Sequence, residues 1–476
     1  MRILFVTEVL KEYIGTVPMG ILYLSAYLRA NGHKTRIAGM EFKEVDGVIK
    51  EFNPQLVCYS VTTGIHPLFV ELNKRLKEKY SFFSAFGGPH ATFFPEIIAQ
   101  EGIDGACIGE GELALLELVE KLGQGADIRQ VQNWWIKDAE GILHKNPVRP
   151  LIPDLNLLPF PDRDLIREYE SPRPRRFWFF LTGRGCPYNC TYCFNQAYYD
   201  LYKGKGNRIR RLTVDRAIEE ILSVKETFSL DLVNFIDDCF VIEMDWLEEF
   251  ADRYPETIKI PFNCNITFDR INKRLVALLK RAGCYSVTGG IESGNPEIRK
   301  EVLNRKVSNQ QIIDACRMLK EAGMRVFTQN ILALPKETLG NAFETLDINI
   351  RCRADYPHVS LYQPYPGTRL GELAIKWKMF DGNLDNIKPA FSKYSPLHHP
   401  QKRKLENLSK LFAFGVEFPF TVSFIKVLIH LPLHRVYHFF SKLWKGYCFK
   451  SRVFPQKMSF RYAIYAIKCY LFGYGG

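Results

Sequence analysis

Apolar residues in the first 125 positions come in short runs that alternate with amphipathic stretches. Arg2 to Thr7 opens the chain as a strand-like run. Met19 to Asn31 carries a helical pattern that Gly32 suits as a C-cap. Strand-like Lys34 to Ala38, Leu56 to Ser60, Phe82 to Phe86 and Gly105 to Ile108 follow. Helical Phe42 to Glu51, Pro67 to Lys79, Phe94 to Glu101 and Glu112 to Leu122 lie between and after them. Continuously apolar strands separated by helices predict a parallel sheet covered on both faces. The expected unit, residues 1–130, is a Rossmann-like, doubly wound parallel sheet. Ligands of such sheets sit outside the carboxyl ends of the strands. Those ends carry Ser60-Val61-Thr62-Thr63, Gly87-Gly88-Pro89-His90 and Gly109-Glu110-Gly111-Glu112.

Residues 132–146 read as a small hairpin turning near Ala139-Glu140-Gly141, and the prolines of 147–174 mark a linker. Together, 131–175 are expected to form a boundary segment. A second βα series starts at Phe177. Strands are expected at 177–182, 231–236, 260–266, 286–291, 325–332 and 358–362, with helices at 213–227, 244–253, 273–282, 309–322 and 337–352. Six βα-type repeats predict a (βα)6 partial TIM-type barrel over 176–375, with its chemistry on the loops at the carboxyl ends of the strands. Residues 376–476 lose this alternation and read as a mainly helical C-terminal region.

Composition sharpens this picture at two points. With 46% apolar and 24% charged residues among 476, the chain is an ordinary folded protein and not a disordered or disulfide-stapled one. Its opening MRILFVTEVLKEY has no signal-peptide character, so a cytoplasmic, reducing compartment is expected, and clustered cysteines should be metal ligands or redox groups. The net charge of +12 is concentrated at the end: from Gln401 there are thirteen Lys and Arg against Glu406 and Glu417, 13 − 2 = +11. Basic residues interleaved with Phe, Tyr and Trp suit an inner membrane surface, a cover over an apolar substrate, or nucleic acid. No RNA-binding motif accompanies them, so lipid ranks above nucleic acid.

The sharpest chemical signal is Thr182-Gly183-Arg184-Gly185-Cys186-Pro187-Tyr188-Asn189-Cys190-Thr191-Tyr192-Cys193-Phe194, three cysteines spaced CxxxCxxC directly after a barrel strand. Thiolates at such spacing favour an iron–sulfur cluster or zinc. Structural zinc usually takes four ligands, and the neighbourhood has no fourth Cys or His. Three ligands on a [4Fe–4S] cluster leave one iron open, which points to chemistry. The other nine cysteines lie scattered.

CxxxCxxC after the first strand of a six-stranded βα barrel, with Tyr192 before the third cysteine, resembles the radical S-adenosylmethionine (SAM) superfamily. The resemblance implies a cluster on Cys186, Cys190 and Cys193 whose open iron chelates SAM, and reductive cleavage of SAM to a 5′-deoxyadenosyl radical. In place of the family's Gly-Gly-Glu-type segment for the SAM amino group this chain has Asp237-Asp238. Glu292, in Gly289-Gly290-Ile291-Glu292-Ser293-Gly294, would accept from SAM hydroxyl or amino groups. Ile331 to Pro335 and Tyr362 to Thr368 resemble further family segments. Pro18 to His33, with the glycine loops above, resembles cobalamin-binding domains fused ahead of such barrels. Ser60, Thr62, Gly87, Gly88, Pro89, Gly109, Glu110 and Gly111 are then the expected cobalamin edge. A DxHxxG cobalt-binding motif is lacking, since no Asp stands two places before His33, His66 or His90.

The resemblance thus implies a radical SAM enzyme that transfers a methyl group from cobalamin to an unactivated carbon of a small or lipid-like substrate. It would be served by an external one-electron donor of flavodoxin or ferredoxin type. The same architecture is also compatible with cyclisation or rearrangement. An RNA-modifying methylthiotransferase usually carries a further N-terminal cysteine trio, where this chain has only Cys58 and Cys107.

Overall fold

A computed structural model describes residues 1–8, 17–170, 176–387 and 393–453. The chain forms two compact units. One comprises 1–174, 197–210 and 384–389; the other comprises 175–196, 211–383 and 390–476.

The first unit runs β1 (Arg2–Thr7), α1 (Met19–Ala30), β2 (Lys34–Gly39), α2 (Phe42–Phe52), β3 (Leu56–Ser60), α3 (His66–Lys77), β4 (Phe83–Gly87), α4 (Pro89–Phe93), β5 (Gly105–Cys107), α5 (Glu112–Gln124), β6 (Trp134–Lys137) and β7 (Leu143–Lys145). Strand order is β2-β1-β3-β4-β5-β6-β7. The first five strands are parallel. Ile3, Leu4, Phe5 and Val6 are at most 1% exposed, as a strand buried on both faces requires. Each such side chain stabilises the sheet by about 1.5–3 kcal/mol. Order 2-1-3-4-5 is the flavodoxin-like arrangement, whose ligand crevice lies where the winding reverses, between β1 and β3. The hairpin is not separate from this sheet, because β6 pairs antiparallel with β5 and β7 with β6. The expected helix at 94–101 is instead the short α4 followed by a 3-10 turn at Pro95–Ala99, since Pro95 cannot donate to a continuing helix.

In the second unit β8 (Phe177–Phe180) is followed by α6 (Phe194–Leu201), which continues into the segment grouped with the first unit. Next come α7 (Val214–Thr227), β9 (Leu232–Phe235), α8 (Met244–Thr257), β10 (Phe262–Ile266), α9 (Lys273–Arg281), β11 (Cys284–Glu292), α10 (Asn309–Glu321), β12 (Arg325–Leu332), α11 (Leu339–Arg351), β13 (Tyr356–Leu361) and α12 (Arg369–Lys376). The tail adds α13 (Lys402–Glu417), α14 (Val422–Leu428) and α15 (His434–Cys448). The six strands are parallel and paired in sequence order, an open barrel wall. Along it Thr288, Gly290, Gln329, Ile331, His358 and Ser360 are half-buried between fully buried neighbours, so one face of the wall borders an open lumen. Thr213, Asn272, Ser308, Thr338 and Thr368 cap α7, α9, α10, α11 and α12 through their side chains.

The tail belongs to this unit. Leu405, Leu408, Phe412 and Val416 of α13 pack with Leu332, Leu346 and Leu361. At the amino ends of the strands Phe327 and Tyr356 pack with Cys448 and Val453, and the Tyr285 hydroxyl donates to the Arg452 carbonyl at 2.9 Å. The end of the described chain therefore floors the barrel.

Candidate active site

The cysteine loop leaves β8 through Thr182 and turns at Gly185 (φ 96°). Four anchors fix it. The Tyr188 hydroxyl donates to Asp269 (2.6 Å) and lies 3.0 Å from Thr267 Oγ1. The Thr191 amide and hydroxyl donate to the carbonyls of Leu303 (3.3 Å) and Val302 (2.6 Å). Leu370 N–H donates to the Thr191 carbonyl (2.8 Å), and the Asn304 side chain to that of Asn189 (2.9 Å). Cys186, Cys190 and Cys193 all stand on this clamped loop, Cys190 buried and the other two half-buried. Burial pushes Cys186 up to about 12 and Cys193 up to about 11. Cys190 is also raised by burial, with Arg305 opposing. Such thiols ionise only against a metal's positive charge. Among the described residues no three Cys, His, Asp or Glu side chains are close enough to hold a single metal ion. A soft, all-sulfur donor set on a wider footprint fits a polynuclear iron–sulfur cluster.

The two adjacent aspartates have opposite surroundings. Asp237 is buried and accepts from the Thr182 amide (3.2 Å) and hydroxyl (2.7 Å). Burial raises its carboxyl, and the Arg211 guanidinium, stacked 3.7 Å from the centre of the Trp246 ring, opposes the rise. Asp238 is exposed to solvent yet also raised by desolvation, with Asn195 hydrogen-bonded to it. Its charge also raises the Cys186 and Cys193 thiols, so it lies near the cysteine loop.

Glu292 ends β11 at φ 64° and is 8% exposed. The Tyr192 hydroxyl donates to its Oε1 at 3.0 Å, and Arg305 Nη1 lies 3.6 Å from the same oxygen and 3.2 Å from the Tyr192 hydroxyl. Arg305 Nη2 reaches the Gly290 carbonyl (2.9 Å). A Cβ on Gly290 would lie 2.1 Å from Glu292 Oε1, so the glycine makes room for the carboxylate to fold back. Arg305, Asn195 and the Thr191 anchors carry no sequence signal. Arg305 and the Thr191 anchors meet the loop only through the fold, and Asn195, two places after Cys193, meets Asp238 only through it.

At the carboxyl edge of the first unit's sheet, Thr62, Gly88 and Pro89 are exposed, and Ser60 and Gly87 half-buried. Val61 N–H donates to the Gly87 carbonyl (2.9 Å) and His90 N–H to that of Val61 (2.9 Å), which locks the two loops together. His90 is buried, lies 3.0 Å through Nδ1 from Thr63 Oγ1, and stacks on His66 with centroids 4.0 Å apart. Burial and His66 push it down to about 3. It is an inward-facing structural histidine. The Gly109–Gly111 turn is filled by the protein itself. A Cβ on Gly109 would meet the Tyr202 hydroxyl at 1.9 Å, Glu110 N–H donates to that hydroxyl (2.8 Å), and Gly111 packs on Leu24. The Glu110 carboxylate accepts from Arg210 (2.7 and 3.0 Å) and from Ile152 N–H (3.1 Å), with both ionic side chains under a tenth exposed. The exposed hydroxyl and glycine backbone at 60–62 and 87–89 fit a large planar cofactor; the 109–111 turn frames that edge.

Comparison with known proteins finds a family for each of the two regions. The Radical SAM superfamily model matches residues 180–348 and the B12 binding domain model residues 13–119. An uncharacterised methyltransferase, PH0819, of Pyrococcus horikoshii is 30% identical over 380 residues, 77% of this chain and 80% of its own. A cytidylyl-2-hydroxyethylphosphonate methyltransferase of Streptomyces wedmorensis is 24% identical over 392 residues, 70% of this chain and 71% of its own. Among solved structures, the cobalamin-dependent SAM radical enzyme OxsB with aqua-cobalamin and SAM bound superposes with a TM-score of 0.66 at 16% identity, covering 99% of this chain and 74% of that one.

Proposed function

The chain belongs to the radical SAM superfamily and carries a cobalamin-binding domain ahead of its barrel, and from that premise we propose that it methylates an unactivated carbon of a small or lipid-like substrate. A [4Fe–4S] cluster with SAM supplies a radical able to take hydrogen from such a carbon, and cobalamin supplies the methyl group. Cys186, Cys190 and Cys193 would hold the cluster. The clamped loop keeps the three thiols in place before metal arrives, so little ordering is left for assembly. Asp238, near the loop and hydrogen-bonded with Asn195, would accept from the SAM ammonium. Asp237 positions the loop's first turn through Thr182. Glu292, fixed by Tyr192 and Arg305, would accept from SAM hydroxyls. Ser60, Thr62 and the Gly87-Gly88-Pro89 backbone would line the cobalamin, on an edge framed by Gly109, Glu110 and Gly111.

Electrons would come from an external flavodoxin- or ferredoxin-type donor, in the cytoplasm. The observation that carries this reading is the set of three cysteines on one short loop anchored at four points, with Asp238 held by Asn195 just beyond its last cysteine. Anaerobically reconstituted enzyme, incubated with extract and methyl-labelled SAM, should give a labelled product together with 5′-deoxyadenosine. Deoxyadenosine without labelled product would replace methylation with cyclisation or rearrangement.

A further inference from the structure

Fifteen large apolar side chains are exposed among the described residues, and ten of them fall between Phe418 and Tyr447. They form two ordered stripes. Phe424 and Val427 on α14 are each 66% exposed, and Phe420 and Leu431 in the turns on either side of it are 77 and 40% exposed. Val436, Phe439, Phe440 and Tyr447 form the second stripe on α15. This exposure does not come from frayed helices. Ile425, Ile429 and Tyr437 anchor the opposite faces in the core with Leu408 and Phe412. The Asn407 side chain donates to the Ile429 and Leu431 carbonyls (3.0 Å each), and the Tyr437 hydroxyl to that of Leu428 (2.8 Å). The stripes are held outward by polar latches on their inner side.

Charge identifies the occupant. No Asp or Glu follows Glu417, which is itself paired with Arg452, whereas nine Lys and Arg follow it. Lys426 and Arg435 are exposed beside the stripes. A second copy of the chain would set cation against cation. Residues 454–476 would do the same, adding Lys457, Arg461 and Lys468 and no acid. Nucleic acid would match the charge, but Val427, Leu431, Leu433 and Val436 offer bases no stacking face. No helix among the described residues is long and apolar enough to cross a membrane. Amphipathic helices with basic flanks and aromatic anchors lie in the interface instead.

We propose that the outward faces of α14 and α15 dock on an anionic phospholipid surface. Phe420, Phe424, Val427 and Leu431 enter the headgroup–acyl boundary, and Lys426 and Arg435 meet the phosphates. The test is sedimentation of the full-length, reconstituted protein with phosphatidylcholine vesicles, with and without phosphatidylglycerol. Partitioning should rise at least about ten-fold with the anionic lipid and fall several-fold in high salt. F420S/F424S and K426E/R435E should each lower it about ten-fold, while leaving far-UV dichroism and SAM cleavage unchanged. Three results would overturn the proposal: equal partitioning to neutral and anionic vesicles, retained binding by both folded variants, or displacement from vesicles by tRNA. A dimer that binds no vesicle would assign the face to a second copy.

Discussion

The two units resolve the same architectural problem in different ways. In the barrel, five helices open on a side-chain cap, two of them full capping boxes at Ser308–Gln311 and Thr338–Asn341. In the sheet unit α1, α2, α3 and α5 open on Pro18, Glu41, Ile65 and Gly111, with no side-chain cap. Helix N-termini and strand carboxyl ends share one edge in any βα unit, so the difference falls at the reactive rim. Apart from α8, which opens on Glu243 without a side-chain cap, the barrel helices that follow its strands close their own ends, and its rim presents discrete side chains, thiols and carboxylates. The sheet leaves backbone N–H groups and glycine at its rim, a surface suited to a broad ligand touched at many weak points. Chemistry focused on a few atoms is thus more vulnerable to one substitution than binding spread over a backbone edge.

The largest expected effect is on the barrel rim. Ala at Cys186, Cys190 or Cys193 should abolish SAM cleavage and lose the iron, while Cys316→Ala, buried far from that loop in sequence, should do neither. Unchanged iron content in the triple variant would refute the cluster assignment. By the same logic Thr62→Ala should lower cobalamin retention only modestly. Complete loss would mean that the sheet, too, depends on single side chains.

A middle effect tests the frame of the sheet rim. Glu110→Gln strands the buried Arg210 charge and should cost about 3–5 kcal/mol in denaturant unfolding. If stability holds and cobalamin is lost, Glu110 is a ligand and the contrast between the units weakens. The smallest effect separates neighbours. Asp237→Asn should cost about 1–3 kcal/mol of stability by disturbing the Thr182 hydrogen bonds. Asp238→Asn should leave stability within about 0.5 kcal/mol and raise the SAM dissociation constant about ten-fold. The reverse outcome would exchange their roles.

Period and punctuation made the two βα series legible before any coordinates. Apolar runs mark strands wherever both faces are buried, and the amphipathic stretches between them mark the helices. The cysteine spacing was legible because it is local. What holds the site was not. Arg305 meets Tyr192 across 113 residues, Tyr202 meets Glu110 across 92 and Arg210 meets Glu110 across 100. An arginine in Asn304-Arg305 or a tyrosine just after α6 looks like any surface residue until the chain closes. The same limit hid α6 within what reads as a loop, and hid the different environments of Asp237 and Asp238, which are identical in residue type.

The barrel floor has a consequence for how the protein is made. Tyr285 finds its partner Arg452 only 167 residues later, and Phe327 and Tyr356 wait for Cys448 and Val453. A nascent chain leaves the ribosome amino end first at roughly 5–20 residues per second, so the strands of Tyr285, Phe327 and Tyr356 exist for several seconds with their amino ends uncovered. During that interval the open end exposes aromatic surface to whatever is nearby. Termination ahead of Cys448 would make the exposure permanent while sparing every cysteine of the loop. Yield of soluble protein from stop codons stepped through 440–453 would locate where synthesis becomes safe.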